Sequence, residues 1–435
     1  MNIHFKTLGC RLNEAETHQW SRQFKQYGHH ITNTVEDADI IVLNSCAVTA
    51  EACKKSRQSI RRLKRESPQA KMVVSGCFST MEPETARSLE ADLVVNNSDK
   101  DNLADQVIHF FDLEKNKTST LQHLLPENHK TRAFIKIQDG CRYHCTYCIV
   151  TTLRGEERSR PPQDIIGEIQ HLEKSGIQEI VLTGVHTCGY GHDINTNLSA
   201  LLRNILSQTQ IPRIRLGSLE PWDLPEDFFK LFENVRLMPH LHLPLQSGSD
   251  HILKRMARRC RIQDFDHIVT QARNAIPDCL ITTDIIVGFP GETNEHWQET
   301  MDYLQKTAFS HVHAFTYSPR PGTAAEKFSH PVNNDVKKQR MTELNTLMKK
   351  LRINLLKSSL KQKTSVLWEQ AKQNSSGLWE VQGYTPNFLR VRTYTHTPEQ
   401  LKNRIVTSWL DSLSNTQDMI QAVPEHHPLF IQKNR

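Results

Sequence analysis

The sequence predicts an α/β protein in three parts: an open parallel α/β sheet, a partial (β/α)6 barrel and a small C-terminal β-barrel. Three observations carry that expectation. Strand-like and helical runs alternate through residues 1–112. They alternate six more times between residues 133 and 317, and short strands separated by turns follow a long basic helix. The expected domain limits are 1–112, 127–356 and 357–425.

In the first part the strand-like runs are 3–7, 39–43, 71–75 and 92–95, and the helical runs are 13–27, 47–66, 80–90 and 100–111. Such alternation predicts a parallel sheet with helices on both faces. Residues 113–130 are polar and aperiodic and read as a linker. Strands are then expected at 133–138, 179–183, 213–217, 240–244, 280–287 and 311–317. The helix at 262–276 repeats Ile262, Phe265, Ile268, Val269, Ala272 and Ile276 at a helical period. Barrels of this kind place their chemistry at the carboxyl ends of the strands. A basic helix over about 335–362 buries Leu344, Leu347, Met348, Leu351 and Leu355, and short strands at 364–368, 378–383, 388–393 and 404–409 predict the small barrel.

Hydrophobic residues make up 37% of the chain. No run approaches the ~18 apolar residues of a membrane helix, so no membrane partner is expected. The opening Met1-Asn2-Ile3-His4-Phe5 reads directly as a strand, with no signal-peptide pattern, so a cytoplasmic location is expected. Ten cysteines there argue for metal or redox chemistry over disulfides. The net charge of +6 is mild but clustered. Residues 53–66 carry seven Lys/Arg, 254–261 carry Lys254, Arg255, Arg258, Arg259 and Arg261, and 335–363 carry nine. Such runs are commonly solvated helix faces; three in one chain point to a nucleic-acid partner.

Two sets of cysteines carry the chemistry. Cys141, Cys145 and Cys148 share one short loop at spacing Cys-x3-Cys-x2-Cys, with no fourth cysteine nearby. A structural zinc site wants four closed ligands, whereas three thiolates suit a cubane iron–sulfur cluster with one iron left open. A zinc knuckle borrowing His144, or a cluster closed by a distant cysteine, is the alternative. Cys10, Cys46 and Cys77 each follow one of the first three strands by one to three residues. In an open α/β sheet those loops converge on one crevice, and Gly9 and Gly76 would let the backbone approach closely. The alternative is three small buried residues. Cys53, Cys260 and Cys279 read as packing.

The cysteine loop, with Tyr147 before its third cysteine, resembles the radical S-adenosylmethionine (SAM) superfamily. That resemblance implies that SAM chelates the open iron and that an electron from the cluster splits it to a 5′-deoxyadenosyl radical. Together with Cys10, Cys46 and Cys77, the chain resembles the methylthiotransferase family over nearly its whole length. Thr7-Leu8-Gly9-Cys10-Arg11-Leu12-Asn13-Glu14-Ala15-Glu16-Thr17 is most similar to its threonylcarbamoyladenosine tRNA branch.

The family implies two 4Fe-4S clusters, one on Cys141, Cys145 and Cys148 and an auxiliary one on Cys10, Cys46 and Cys77. It also implies SAM, a tRNA modified next to the anticodon at position 37, a reduced flavodoxin or ferredoxin as electron donor, and a sulfur donor of unknown kind. Other branches modify isopentenyladenosine tRNA or a ribosomal protein; outside enzymes, the rival is an iron–sulfur RNA-binding protein. By family match, SAM contacts fall on Tyr147, Gly184, Ser218 and Glu220 of Ser-x-Glu-Pro, Gln246, and Gly288 of Gly-Phe-Pro-Gly-Glu. The superfamily's Gly-Gly-Glu is absent, as is the proline often found soon after the third cysteine. Residues 383–391 resemble the RNA-binding TRAM module, in which Tyr384 and Phe388 would stack bases and Arg390 and Arg392 would meet phosphates. Arg154, Arg158 and Arg160 would pair a substrate carboxylate or SAM, or else form a solvated loop.

Overall fold

The computed structural model describes residues 1–115 and 131–425, so the expected linker lies, past residue 115, outside the described residues. Five parallel strands open the chain: β1 (Asn2–Thr7), β2 (His30–Thr32), β3 (Ile40–Ser45), β4 (Lys71–Gly76) and β5 (Leu93–Val95), in the order β2-β1-β3-β4-β5. Every residue of β3 is buried, because helices cover both faces of the sheet. Ile41 and Leu43 pack with Ile60 and Leu63 of one helical layer, and Ile40 and Val42 pack with Trp20 and Phe24 of the other.

The helices are α1 (Arg11–Gln26), α2 (Ala50–Glu66), α3 (Cys77–Met81), α4 (Pro83–Ser88) and α5 (Leu103–Phe110). The single helix expected over 80–90 is two. Pro83 cannot donate to the preceding turn, so the helix stops at Met81 and restarts at Pro83. β2, an edge strand of three residues, was too short to carry a pattern.

The middle of the chain holds β6 (Arg132–Lys136), the short pair β7 (Gln138–Asp139) and β8 (Arg158–Ser159), then β9 (Glu179–Thr183), β10 (Arg213–Leu216), β11 (His240–His242), β12 (Leu280–Val287) and β13 (His311–Thr316). Its helices are α6 (Val150–Arg154), α7 (Pro162–Lys174), α8 (Leu198–Gln208), α9 (Asp250–Arg255), α10 (Ile262–Ala275), α11 (Asn294–Thr307) and α12 (Asn334–Ser358). Two parallel sheets, β10-β9-β6 and β11-β12-β13, meet through the single bridges Ile214–Leu237 and Ser218–His242. Six strands therefore form the predicted partial barrel, open between β6 and β13.

Alternate residues such as Ile135, Ile180, Leu182, Ile214 and Ile281 pack into the apolar core. The intervening residues belong to the opposite face. There Arg215 pairs with Glu179 at 3.0 Å, and His242 lies 2.9 Å from Thr282 Oγ1 and 3.3 Å from Asp284. A complete (β/α)8 barrel fills this space with branched apolar side chains; here the lumen is polar.

β14 (Lys363–Gln373), β15 (Trp379–Tyr384), β16 (Arg390–Thr395), β17 (Arg404–Leu413) and β18 (Ile420–Pro424) close into the expected small barrel, in the order β14-β15-β16-β18-β17. It docks on the amino ends of the larger barrel's strands. Arg213 donates to Tyr384 O (3.1 Å) and Ser365 O (2.8 Å), Asn387 to Asp278 O (3.3 Å) and Asn403 to Gly176 O (3.1 Å).

This docking corrects the base-stacking expectation for two residues. Tyr384 and Phe388 stack on each other at 4.7 Å, with Arg132 5.0 Å from the Tyr384 ring and Arg215 4.4 Å from the Phe388 ring. Their faces plug the barrel floor and are not offered to RNA. Because Phe388 is only part-buried, Phe388→Ala is expected to cost about 2 kcal/mol, below the range for a fully buried phenylalanine. Denaturant unfolding that matches wild type would show that the plug does not hold the module.

Candidate functional site

The loop 140–148 leaves β7 at the carboxyl end of the larger barrel, and its backbone is tied down by distant segments. Cys141 N–H donates to Gly155 O (3.1 Å), Thr146 N–H to Met256 O (3.0 Å), and Thr146 O accepts from Ala325 N–H (2.8 Å). Arg258, buried, points Nη1 at Cys145 Sγ (3.9 Å), while its guanidinium lies 4.3 Å from the Trp222 ring. Tyr143 N–H faces Cys141 Sγ at 3.4 Å. Burial pushes the Cys141 thiol up to about 12 and that of Cys148 up to about 11. These thiols are therefore protonated at neutral pH without metal, and ligation releases their protons. Three soft donors on one loop, with a guanidinium and an N–H directed at sulfur, fit an anionic iron–sulfur cluster.

Part of the basic run 254–261 is engaged here, while Lys254 and Arg259 remain exposed. Arg255 lies over Phe328, Arg258 over Trp222 and Arg259 over Tyr143, so these cations brace the cysteine loop. His186 was also missed. Wholly buried, it sets Nδ1 against Glu157 and Nε2 2.8 Å from Asp223. Burial alone would lower its pKa, but Asp223, Glu220 and Glu157 carry it above the ordinary value. Donor atoms of Cys141, Glu157 and His186 lie within 4.8 Å of one another. Both ring nitrogens face carboxylates, which makes His186 a charge-paired hub beside Cys141.

The other strand-end residues sit as follows. Tyr147 packs against Ile252, Met256, Phe289 and Tyr317. At Gly184 a Cβ would meet Gln138 Oε1 at 2.8 Å, and that oxygen accepts from Val185 N–H and His186 N–H. Ser218 bridges to His242. Glu220 has an oxygen 3.7 Å from His186 Nε2, and burial raises its carboxyl. Gln246, at φ +80°, is spliced between Asp284 O and Ile286 N–H. Gly288 N–H donates to Glu292 at 2.8 Å beneath the Lys337 side chain. Gly184 and Gly288 are thus covered by Gln138 and Lys337.

Cys10, Cys46 and Cys77 follow β1, β3 and β4, three adjacent strands, and meet at one edge. Cys10 is exposed at the start of α1, whereas Cys46 and Cys77 are buried. A Cβ at Gly9 (φ +95°) would lie 2.8 Å from Cys46 Sγ, and one at Gly76 (φ +98°) 2.4 Å from Ser45 O, so only glycine leaves this cradle open. Asn97 Nδ2 faces Cys77 Sγ at 3.7 Å, and Cys10 Sγ lies 3.6 Å from Asn13 Oδ1. Burial pushes Cys46 up to about 11. Helix α6 follows Cys148 directly, and Ile149 and Leu153 pack with Cys77 and Phe78. One short helix therefore separates the two triplets.

The arginine expectations divide. Arg154 is buried and wholly used, with Nη1 on Glu16 (3.0 Å) and Asp139 (2.8 Å) and Nη2 on Asn13 (2.7 Å). It cannot also clamp a substrate carboxylate. Arg160 is held by Glu168 and Lys136 O, both at 2.7 Å. Arg158 remains exposed, and with Arg160, Lys136 and Ser159 lines a groove of about 150 Å³. Arg390 is exposed beside Gln382, and Arg392 is half-buried near Glu380. In α12 Arg340 is spent on Glu292 at 2.6 Å; on α2 Lys54, Lys55, Arg61, Arg62 and Arg65 stay exposed.

Comparisons with known proteins follow this geometry. Residues 135–304 match the family model "Radical SAM superfamily" and residues 2–96 match "Uncharacterized protein family UPF0004". The chain is 33% identical to the threonylcarbamoyladenosine tRNA methylthiotransferase MtaB of Bacillus subtilis (strain 168), covering 89% of each chain. It is 37% identical to the tRNA-2-methylthio-N(6)-dimethylallyladenosine synthase of Oceanobacillus iheyensis, covering 84% of this chain and 74% of that protein. In fold it resembles the radical SAM methyltransferase TsrM from Kitasatospora setae, solved with cobalamin and a 4Fe-4S cluster, at TM-score 0.55 and 13% identity over 75% of this chain and 77% of that one.

If each triplet holds a four-iron cubane, anaerobic reconstitution should give about eight irons per chain, and Cys46→Ala about half that number. Unchanged iron in Cys46→Ala would remove the auxiliary cluster.

Proposed function

The chain belongs to the radical SAM methylthiotransferases that modify tRNA, and we propose that it converts threonylcarbamoyladenosine at position 37 to its 2-methylthio derivative. The observation that carries this reading is the pair of cysteine triplets on either side of α6. The radical SAM match implies SAM and an iron–sulfur cluster; the finer reading is two 4Fe-4S clusters, on Cys141, Cys145 and Cys148 and on Cys10, Cys46 and Cys77. Bound there, SAM and its cluster supply a radical able to take hydrogen from the unactivated C–H of adenine carbon 2, which side-chain acid–base chemistry matches poorly.

The chain's own residues hold and orient. Arg258 and the backbone ties at Thr146 fix the cysteine loop, and Tyr147 gives SAM an apolar neighbour. Ser218, Glu220 and Gln246 stand at the strand ends that face SAM. The base enters the open side between β6 and β13, where Phe315 is 47% exposed and Arg11 lies 4.9 Å from the Phe134 ring. Arg11 and Arg158 offer guanidinium to the threonylcarbamoyl carboxylate. Phosphates are met by the exposed face of α2 and by Arg390 and Arg392.

The domain limits 1–112, 127–356 and 357–425 fit this division into auxiliary-cluster unit, barrel and RNA module. The electron comes from a flavodoxin- or ferredoxin-type donor, and a separate donor supplies sulfur. No helix among the described residues is long and apolar enough to cross a membrane, and we place the reaction in the cytoplasm.

The threonylcarbamoyl substrate is favoured over dimethylallyladenosine because the match spans 89% of the Bacillus subtilis protein but 74% of the Oceanobacillus iheyensis one. Nucleoside mass spectrometry of tRNA from a deletion strain and its parent tests this. The threonylcarbamoyl nucleoside should persist without its methylthio group, while methylthio-isopentenyladenosine stays normal. Loss of sulfur from the isopentenyl species instead would move the chain to the other branch, and no change in either would move the substrate to a protein.

A further inference from the structure

The auxiliary cysteines stand on a buried layer of charge that is not balanced within itself. Glu16, Lys100, Lys136, Asp139 and Arg154 are each at most 4% exposed. Lys100 pairs with Glu16 and with Asp139 (3.2 Å), Lys136 with Asp139 (3.0 Å), and Arg154 with both carboxylates. Three cations face two carboxylates. At the solvent rim Asp101 beside Lys136 (2.8 Å) and Arg158 near Asp139 (3.9 Å) add one charge of each sign, so the buried surplus stands. A buried charge without a partner is strongly unfavourable.

The surplus has a direction, because one cation stands beside Cys10 and another is linked through an amide N–H to Cys77. Arg154 Nη2 and the Cys10 thiol both donate to Asn13 Oδ1, at 2.7 and 3.6 Å, so the guanidinium stands one shared oxygen away from Cys10. Lys100 Nζ donates to Asn97 Oδ1 at 3.2 Å, and Asn97 Nδ2 faces Cys77 Sγ at 3.7 Å. Three thiolates around an oxidised four-iron cubane carry an overall charge of about −1, the opposite of that surplus.

We infer that Arg154, and Lys100 through Asn97, are positioning residues whose unbalanced charge compensates the auxiliary cluster and raises its reduction potential. This rests on the two-cluster reading above. A fixed positive charge stabilises the reduced, more negative cluster. Glu16 and Lys100 belong to the N-terminal unit, whereas Lys136, Asp139 and Arg154 belong to the barrel, so the compensating charge is complete only when the two are docked.

The test uses the full chain, anaerobically reconstituted, with a potentiometric titration followed by electron paramagnetic resonance. Arg154→Gln should move the auxiliary midpoint to more negative potential and leave the SAM-binding cluster unmoved, and Arg154→Lys should restore it. Asp101→Asn removes a half-exposed carboxylate from the rim and should move the midpoint the other way, by less; it decides the matter if Arg154→Gln does not load. An auxiliary midpoint unmoved in the variants that load overturns the inference while leaving both clusters in place. Only about four irons in the wild type overturns the two-cluster reading, and this inference with it.

Discussion

Taking Glu16, Lys100, Lys136, Asp139 and Arg154 out of water is the constraint on which the arrangement of the two cysteine triplets depends. No one element supplies a balanced set. Glu16 comes from α1, Lys100 from the turn before α5, Lys136 and Asp139 from β6 and β7, and Arg154 from the end of α6. Removing one partner from such a buried set costs about 3–5 kcal/mol, more than the net gain of making it. The value of the set is therefore specificity: the N-terminal sheet has one seat on the barrel. Helix α6 is five residues long and marginal by itself. Its place is fixed at one end by Cys148 and at the other by Arg154, with Ile149 and Leu153 packed beside Cys77.

The polar lumen and the plugged floor follow from the same economy. Glu179 opens β9 at the amino end of the barrel and is held at about 2: burial alone would raise it, but Arg215 and Arg132 prevail. Those two guanidiniums lie over Tyr384 and Phe388, so the floor is a layered stack of carboxylate, arginine and aromatic ring. A strand of five residues spans about 17 Å, so the small barrel and the cysteine loops are at least that far apart. Between them, at the open edge of the larger barrel, His311, His313 and Phe315 are exposed.

The parts legible in the sequence were those written in local spacing. The two triplets, the parallel sheet, six barrel strands and four strands of the small barrel all declare themselves within a few residues. What failed was whatever depends on partners far along the chain. Arg154 sits in a run dense with charge that reads as solvated, yet its partners Asn13 and Glu16 are more than 130 residues away. Arg258 looks like part of a nucleic-acid patch until Trp222 and Cys145 appear beside it. Tyr384 and Phe388 match an aromatic RNA surface by type, and only the docking of the module shows that their faces are taken. Strand β18 lies in an uneven run where no alternation survives.

Both candidate cluster sites share one physical arrangement. Cys46, Cys141 and Cys148 are pushed toward the neutral thiol by burial, so their sulfurs carry little negative charge before ligation. Beside each pocket stands a buried guanidinium anchored to something other than a sulfur: Arg154 to Glu16 and Asp139, Arg258 to the Pro244 carbonyl and the Trp222 ring. Neither can leave when the sulfurs are neutral, and each is already in place when ligation makes them anionic. The anchoring differs in kind. Arg154 is tied by two carboxylates that tax its charge, and Lys100 and Lys136 offset that tax. Arg258 is tied by a neutral carbonyl and a ring face, and its charge stays available to Cys145. The candidate site at Cys10, Cys46 and Cys77 is therefore backed by a five-residue network where the Cys141 loop has one arginine, and of the two only that network joins the N-terminal unit to the barrel.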